Sequence, residues 1–247
     1  MSADRWTQAV RHQLGLGRLV PLGGPRDGSW LAESAARPAL RRAVRSVPGV
    51  SLGILRIELA DPHGTYESAV PAPPSALPPG PLRIVAECAA APDEPLPAAA
   101  ARLRAALTEA AAARLGLAVT EVDLRVTALL DDGRAVSDAT EPGADAEAGV
   151  TESGRTEADS DESRAGRAAL AVPGVARLTG ALGGLGRPVH IGEHPEGTAA
   201  LPRRHVRIEL AVSGGRRVLD VTRDVRTAVT AALADHPSVA VLVTAVN

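Results

Sequence analysis

Aromatic side chains are nearly missing from this chain: 247 residues include no Phe, one Tyr and two Trp. Leu and Val supply almost all the large apolar groups, so a core must be built by aliphatic interdigitation with Ala filling gaps. Lys is absent and all 27 basic residues are Arg. Cys88 is the only cysteine, which excludes an intrachain disulfide and fits a reducing compartment. No run of about 18 apolar residues occurs, so no segment reads as a membrane-spanning helix. The opening Met-Ser-Ala-Asp-Arg-Trp lacks the basic-then-apolar layout of a secretory signal, and the expected location is the cytoplasm. The bias to Ala, Arg, Gly, Pro and Val points to a high-GC bacterial genome rather than to a task.

Hydrophobic residues make up 45% of the chain, enough for packed cores. The net charge of −2 hides an asymmetry: residues 131–164 hold 11 acidic groups and 3 Arg, while the rest holds 24 Arg against 18 acids. The folded parts are therefore mildly basic, short of the strong positive charge of a nucleic-acid binder. Residues 131–164 are almost free of large apolar side chains and cannot offset the entropy of ordering, so a disordered acidic linker is expected there.

Periodicity divides the remainder into two similar plans. Spacing predicts a short helix over 4–14 and another over 29–47, with Ala36, Leu40, Val44 and Val47 on one face and Pro38 in its first turn. Alternation predicts strands over 53–59, from Leu82 through Ile84, Ala86 and Cys88, and over 121–128. A Pro- and Gly-rich loop fills 61–81, and a helix spans 97–115 with Leu103, Leu107, Ala111 and Leu115 inward. The second plan starts near Arg167, with a short strand at Val189-His190-Ile191 and a longer one from Val206 to Val212. A helix follows through Leu233, with Asp220 as its expected N-cap, and Val239, Val241 and Val243 mark a closing strand. Val47-Pro48-Gly49-Val50 and Val172-Pro173-Gly174-Val175 stop the first helix of each plan. Aligned, Leu103, Leu107 and Ala111 match Val225, Val229 and Leu233, and Leu82, Ile84, Ala86 and Cys88 are set against Val206, Ile208, Leu210 and Val212. Leu55-Arg56-Ile57-Glu58 resembles Val206-Arg207-Ile208-Glu209 as well, so the strand register stays open. The expected fold is α+β: two tandem small modules, residues 1–130 and 165–247, joined by the linker over 131–164. Each module has helices on one face of a mostly antiparallel sheet.

The second copy resembles the alkaline shock protein family, the envelope stress response proteins of Gram-positive bacteria. The resemblance rests on Val172-Pro173-Gly174-Val175, the strand 205–212, the turn at Gly214-Gly215, the helix 218–233 and the Val-alternating strand 238–246. The first copy matches more loosely through 46–50, 82–88 and 119–127. The family usually has one such module and no counterpart of the linker. The resemblance implies a cytosolic protein that self-associates and is held near the membrane by a separate anchored partner.

Polar motifs are sparse. Arg37, Arg41 and Arg45 follow helical spacing with Arg42 beside them, and are the candidate partner-binding residues, suited to an anionic surface. A solvated helix face explains the same pattern. Gly183-Gly184-Leu185-Gly186 has the spacing of an RNA-clamping Gly-x-x-Gly loop but leads into a strand, not a helix. His190 and His194 are four apart with Gly192 and Pro195 against a helix, and no Cys pair completes a zinc site. Cys88 falls on an apolar face as an inert thiol, and His205 is expected to point outward. No catalytic set, metal or cofactor is expected. The leading expectation is a non-enzymatic scaffold that binds other proteins. A nucleic-acid-binding module using an Arg-bearing helix or sheet face is the alternative, and an enzyme of unknown class the third.

Overall fold

The computed structural model describes residues 15–130, 160–181, 187–194 and 203–247. The expected helix over 4–14, the Gly183–Gly186 loop and residues 131–159 of the expected linker lie outside the described residues.

The chain is α+β with two mixed sheets. It opens with β1 (Leu19–Leu22) and β2 (Ser29–Ala32), an antiparallel hairpin in which every residue except those of the turn is buried. Sequence spacing placed 29–47 in one helix. The helix, α1, is Glu33–Val44, because residues 29–32 are drawn into a sheet by pairing with a strand near the far end of the chain. Pro38 therefore sits in the helix interior rather than in its first turn. Glu33, 4% exposed, anchors the start of α1 by accepting a hydrogen bond from Ile57 N at 3.0 Å.

The first half continues with β3 (Val50–Leu59), β4 (Leu82–Ala90), α2 (Leu96–Glu109, prolonged by a π turn over Ala110–Leu115) and β5 (Val119–Leu129). β3 pairs antiparallel and β5 parallel with the central β4. The second half repeats this. α3 (Asp161–Leu170) leads to β6 (Val175–Leu178) and β7 (Val189–His194), which both pair antiparallel with β8 (Arg203–Val212); α4 (Val218–Ala232) then crosses to β9 (Ser238–Val246), parallel to β8. The sheets are mixed rather than mostly antiparallel because each strand–helix–strand step returns the chain in the same direction.

α3 begins inside the stretch expected as linker. Ser160 Oγ accepts from Ser163 N at 3.2 Å, and Asp161 and Glu162 sit in the first turn where the helix dipole favours acids. At α4 the N-cap is Arg217, without a side-chain cap bond, and Asp220 lies one turn in, contrary to expectation.

The two halves agree in backbone detail. Ala91 N donates to Gly49 O at 2.8 Å and Ser213 N to Gly174 O at 2.9 Å. Leu130 N donates to Ala90 O at 2.8 Å and Asn247 N to Val212 O at 2.9 Å. Val50 pairs with Ala90 as Val175 pairs with Val212, and a bulge follows Cys88 as one follows Leu210. Cys88 thus corresponds to Leu210, not Val212, and Ala86 to Ile208. The expected strand alignment was displaced by one pleat, while the helix alignment has the spacing that the strands also show.

The halves are joined by one continuous buried apolar cluster running from Leu16 to Val243. α1 packs on β9 as well as on β3. Gly116, at φ +88°, lies against Leu219, where a Cβ would come within 2.3 Å of the Leu219 Cβ. Arg217 Nε donates to Ala112 O at 2.9 Å, and Gly23 N to Gly116 O at 3.0 Å.

Candidate functional site

The four arginines picked out by helical spacing, Arg37, Arg41, Arg42 and Arg45, differ in their surroundings. Arg41 turns back onto β3, donating from Nη1 to Leu52 O at 3.1 Å and from Nη2 to Gly53 O at 2.8 Å. These carbonyls lie where β3 bulges away from β4. Arg37 Nη2 is 3.6 Å from Glu33 Oε2. Arg42 and Arg45 are exposed. Arg41 therefore helps hold α1 to β3, while Arg37 pairs along α1 itself.

The sharper feature is the outer edge of β5. In the second half the corresponding edge, that of β9, is covered: β2 pairs with it in parallel, with Ser29, Trp30 and Leu31 opposite Val241, Leu242 and Val243. Among the described residues no strand covers β5. Burial records the difference. Val239 through Val243 are at most 1% exposed, whereas Val126 is 39% and Leu129 58% exposed. An uncovered strand edge presents unpaired N–H and C=O groups, a template for another strand.

One arginine guards this edge in each half. Arg104 Nε donates to Val122 O at 3.1 Å, and Arg226 Nε donates to Val239 O at 2.9 Å. Arg226 also reaches the incoming hairpin, donating from Nη1 to Arg26 O at 2.8 Å. Asp27 of the same hairpin pairs with Arg223 at 2.7 Å. Burial pushes the Asp27 carboxyl up, but the bonds from Arg223 and Gly24 N, with the charges of Arg223 and Arg226, outweigh it and hold it below its ordinary value. The sequence held one signal for the guard: the helix alignment that matches Leu103 with Val225 sets Arg104 against Arg226.

Beside the β5 edge lies a shallow apolar notch lined by Val50, Cys88, Ala90, Leu96, Ala99, Ala100, Leu103 and Val126. In the second half four of these positions carry larger groups, Leu210 for Cys88, Val212 for Ala90, Val221 for Ala99 and Thr222 for Ala100, while Leu96 and Leu103 are replaced by the smaller Val218 and Val225. Cys88 is 3% exposed, and burial pushes its thiol pKa up, with Arg104 opposing, so the thiolate needed by a nucleophile is disfavoured.

The polar clusters are tied into the fold. On the solvent face of β3–β5, Arg83 bonds Glu58 at 2.8 Å and lies 3.7 Å from Asp123 and 3.9 Å from Glu121. Arg56, Arg83 and Arg125 there alternate with Glu58, Glu87, Glu121 and Asp123, so no basic stripe forms. Behind β8, the buried Glu209 accepts from Ala181 N at 2.5 Å and lies 3.7 Å from Arg207 Nε. His190 stands opposite Arg207 across the β7–β8 ladder. Burial and the Arg207 charge push its pKa down, so it stays neutral near pH 7. Half-buried His205 does not point freely outward; its Nδ1 meets Ser238 Oγ at 2.9 Å. Among the described residues no three His, Cys, Asp or Glu side chains converge as a metal site, and no helix is long and apolar enough to cross a membrane.

Comparison with known protein families, curated proteins and solved structures finds no match to this chain.

Proposed function

We propose that this chain is a non-enzymatic protein-interaction scaffold that works in the cytoplasm, and that its docking surface is the outer edge of β5. The observation that carries this reading is the asymmetry between two equivalent edges. β9 has been closed by the chain's own hairpin, and β5 presents the same backbone groups with exposed Val126 and Leu129 beside them. The chain itself supplies the precedent that this kind of edge takes an added strand. The alkaline shock resemblance adds a setting, an envelope-stress assembly held near a membrane by an anchored partner.

The test uses Leu124→Pro. Leu124 corresponds to Val241, whose N–H faces outward and donates to Gly28 O at 3.1 Å. Proline there removes an outward donor and leaves the β4 ladder intact. Wild-type and Leu124→Pro chains of matched circular dichroism are used as baits in the native host, with captured proteins quantified by mass spectrometry. The expected result is a set of proteins retained by wild type and lost with proline. Identical captured sets would end the proposal.

A further inference from the structure

We infer that β5 pairs with β5 of a second copy of this chain, antiparallel, about a two-fold axis through Leu124. This rests on the reading of β5 as a docking edge and names one occupant for it.

The register follows from the backbone. Two irregularities interrupt the β4–β5 ladder, one between Leu82 and Arg83 and one between Cys88 and Ala89, so residues 121–126 keep an unbroken run. Within that run the groups facing away from β4 are those of Val122, Leu124 and Val126. Arg104 marks this by bonding Val122 O, and the equivalent Val241 N marks it by bonding Gly28 O. Two antiparallel copies must place these outward residues opposite one another.

Charge then selects among the allowed registers. Centring on Asp123 sets Asp123 against itself, and centring on Arg125 sets Arg125 against itself; like charges directly opposite are destabilising. Centring on Leu124 sets Asp123 opposite Arg125 of the other copy, twice by symmetry. It also sets Val122 against Val126 and Leu124 against Leu124 on the apolar face. Asp123–Arg125 falls at a position without backbone bonds, where facing side chains are closest. Val126, exposed in one copy, gains an apolar neighbour. Val122 O has a second lone pair, so Arg104 need not leave when Val126 N of the other copy approaches. A two-fold contact of this kind closes on itself and stops at the dimer. A strand contact this short gives a weak dimer, to be sought between about 10 μM and 1 mM.

The experiment is a charge exchange read by sedimentation equilibrium on the purified full chain, with folding checked by circular dichroism. Asp123→Arg puts Arg opposite Arg, and Arg125→Asp puts Asp opposite Asp. Each alone is expected to weaken the dimer by about tenfold. Mixing the two variants restores both opposed pairs, and so does the double variant Asp123→Arg/Arg125→Asp. Recovery to near wild-type affinity in the mixture and in the double variant is the expected result. A wild-type chain that stays monomeric up to about 1 mM, or a dimer that ignores these exchanges, overturns the inference. A monomer that still captures proteins in a Leu124-dependent way overturns the self-pairing alone and leaves the scaffold reading standing.

Discussion

Asp27 shows how one carboxylate fastens a segment that sequence patterning misplaced. It accepts from Gly24 N at 2.7 Å, closing the β1–β2 turn, and from Arg223 Nε at 2.7 Å, tying that turn to α4. Its pKa is held below the ordinary carboxylate value, so it contributes stability above about pH 4 and loses it as pH falls through the folded value. Asp27→Asn is expected to cost about 1 kcal/mol at pH 7, a figure reduced by solvent screening of the half-exposed Arg223. Urea titrations of both proteins from pH 7 to pH 3 should show that gap closing in acid; a gap independent of pH would refute the assignment. Asp27 could not be singled out in the sequence, because its partner lies on a helix almost at the other end of the chain. Glu33 was hidden for the same reason. Its acceptor role depends on Ile57 N, on β3 at the edge of its sheet, a strand far from Glu33 in the sequence.

At the scale of elements, the most telling comparison is between the two Pro-Gly steps. In the first half Arg102, on α2, donates to Pro48 O at 3.1 Å and pairs with Glu94 before the helix. In the second half Arg216, before α4, donates to Pro173 O at 2.7 Å and pairs at 2.9 Å with Asp224 on the helix. Glu94 corresponds to Arg216 and Arg102 to Asp224, so the same ion pair is kept with its charges exchanged. Either arrangement ties the Pro carbonyl after the first helix to the second helix. Glu94→Arg/Arg102→Asp is therefore expected to stay within about 0.5 kcal/mol of wild type, and Arg102→Ala to cost about 1 kcal/mol, modest because the pair is partly exposed. Chemical denaturation midpoints check this; a double variant worse than the single would refute it. The α+β class, the helix faces and most strands were legible because periods of 3.6 and 2 were strong. The strand register between copies was not, because a two-residue pattern looks the same after a slip of two. The hydrogen bonds around Gly49 and Gly174, the ladder pairings beside them and the matching bulges settle it.

At the scale of the whole molecule, the two halves share one apolar cluster and lean on each other at Gly116 and Leu219. The sequence shows the repeated plan but not the route of this contact, since α1 serves both β3 and β9. Heating is expected to give one calorimetric transition with equal van't Hoff and calorimetric enthalpies. Two resolved transitions would contradict a shared core. The open edge of β5 was half visible: Val122, Leu124 and Val126 announce a strand, but whether its far side is covered depends on where the hairpin β1–β2 goes. That hairpin has short strands, and the residues pairing with it lie some two hundred positions away.

The pairing of β2 with β9 also sets an order of events in the cell. Leu31 finds its neighbour only when Val243 has been synthesised, so the larger sheet cannot be completed before the chain has been made to that point. Throughout that interval the apolar hairpin lacks its β9 partner, and the outer edge of β2 stays open. Ribosome pausing between the codons for Leu31 and Val243 would lengthen that exposure and raise the fraction lost to aggregation.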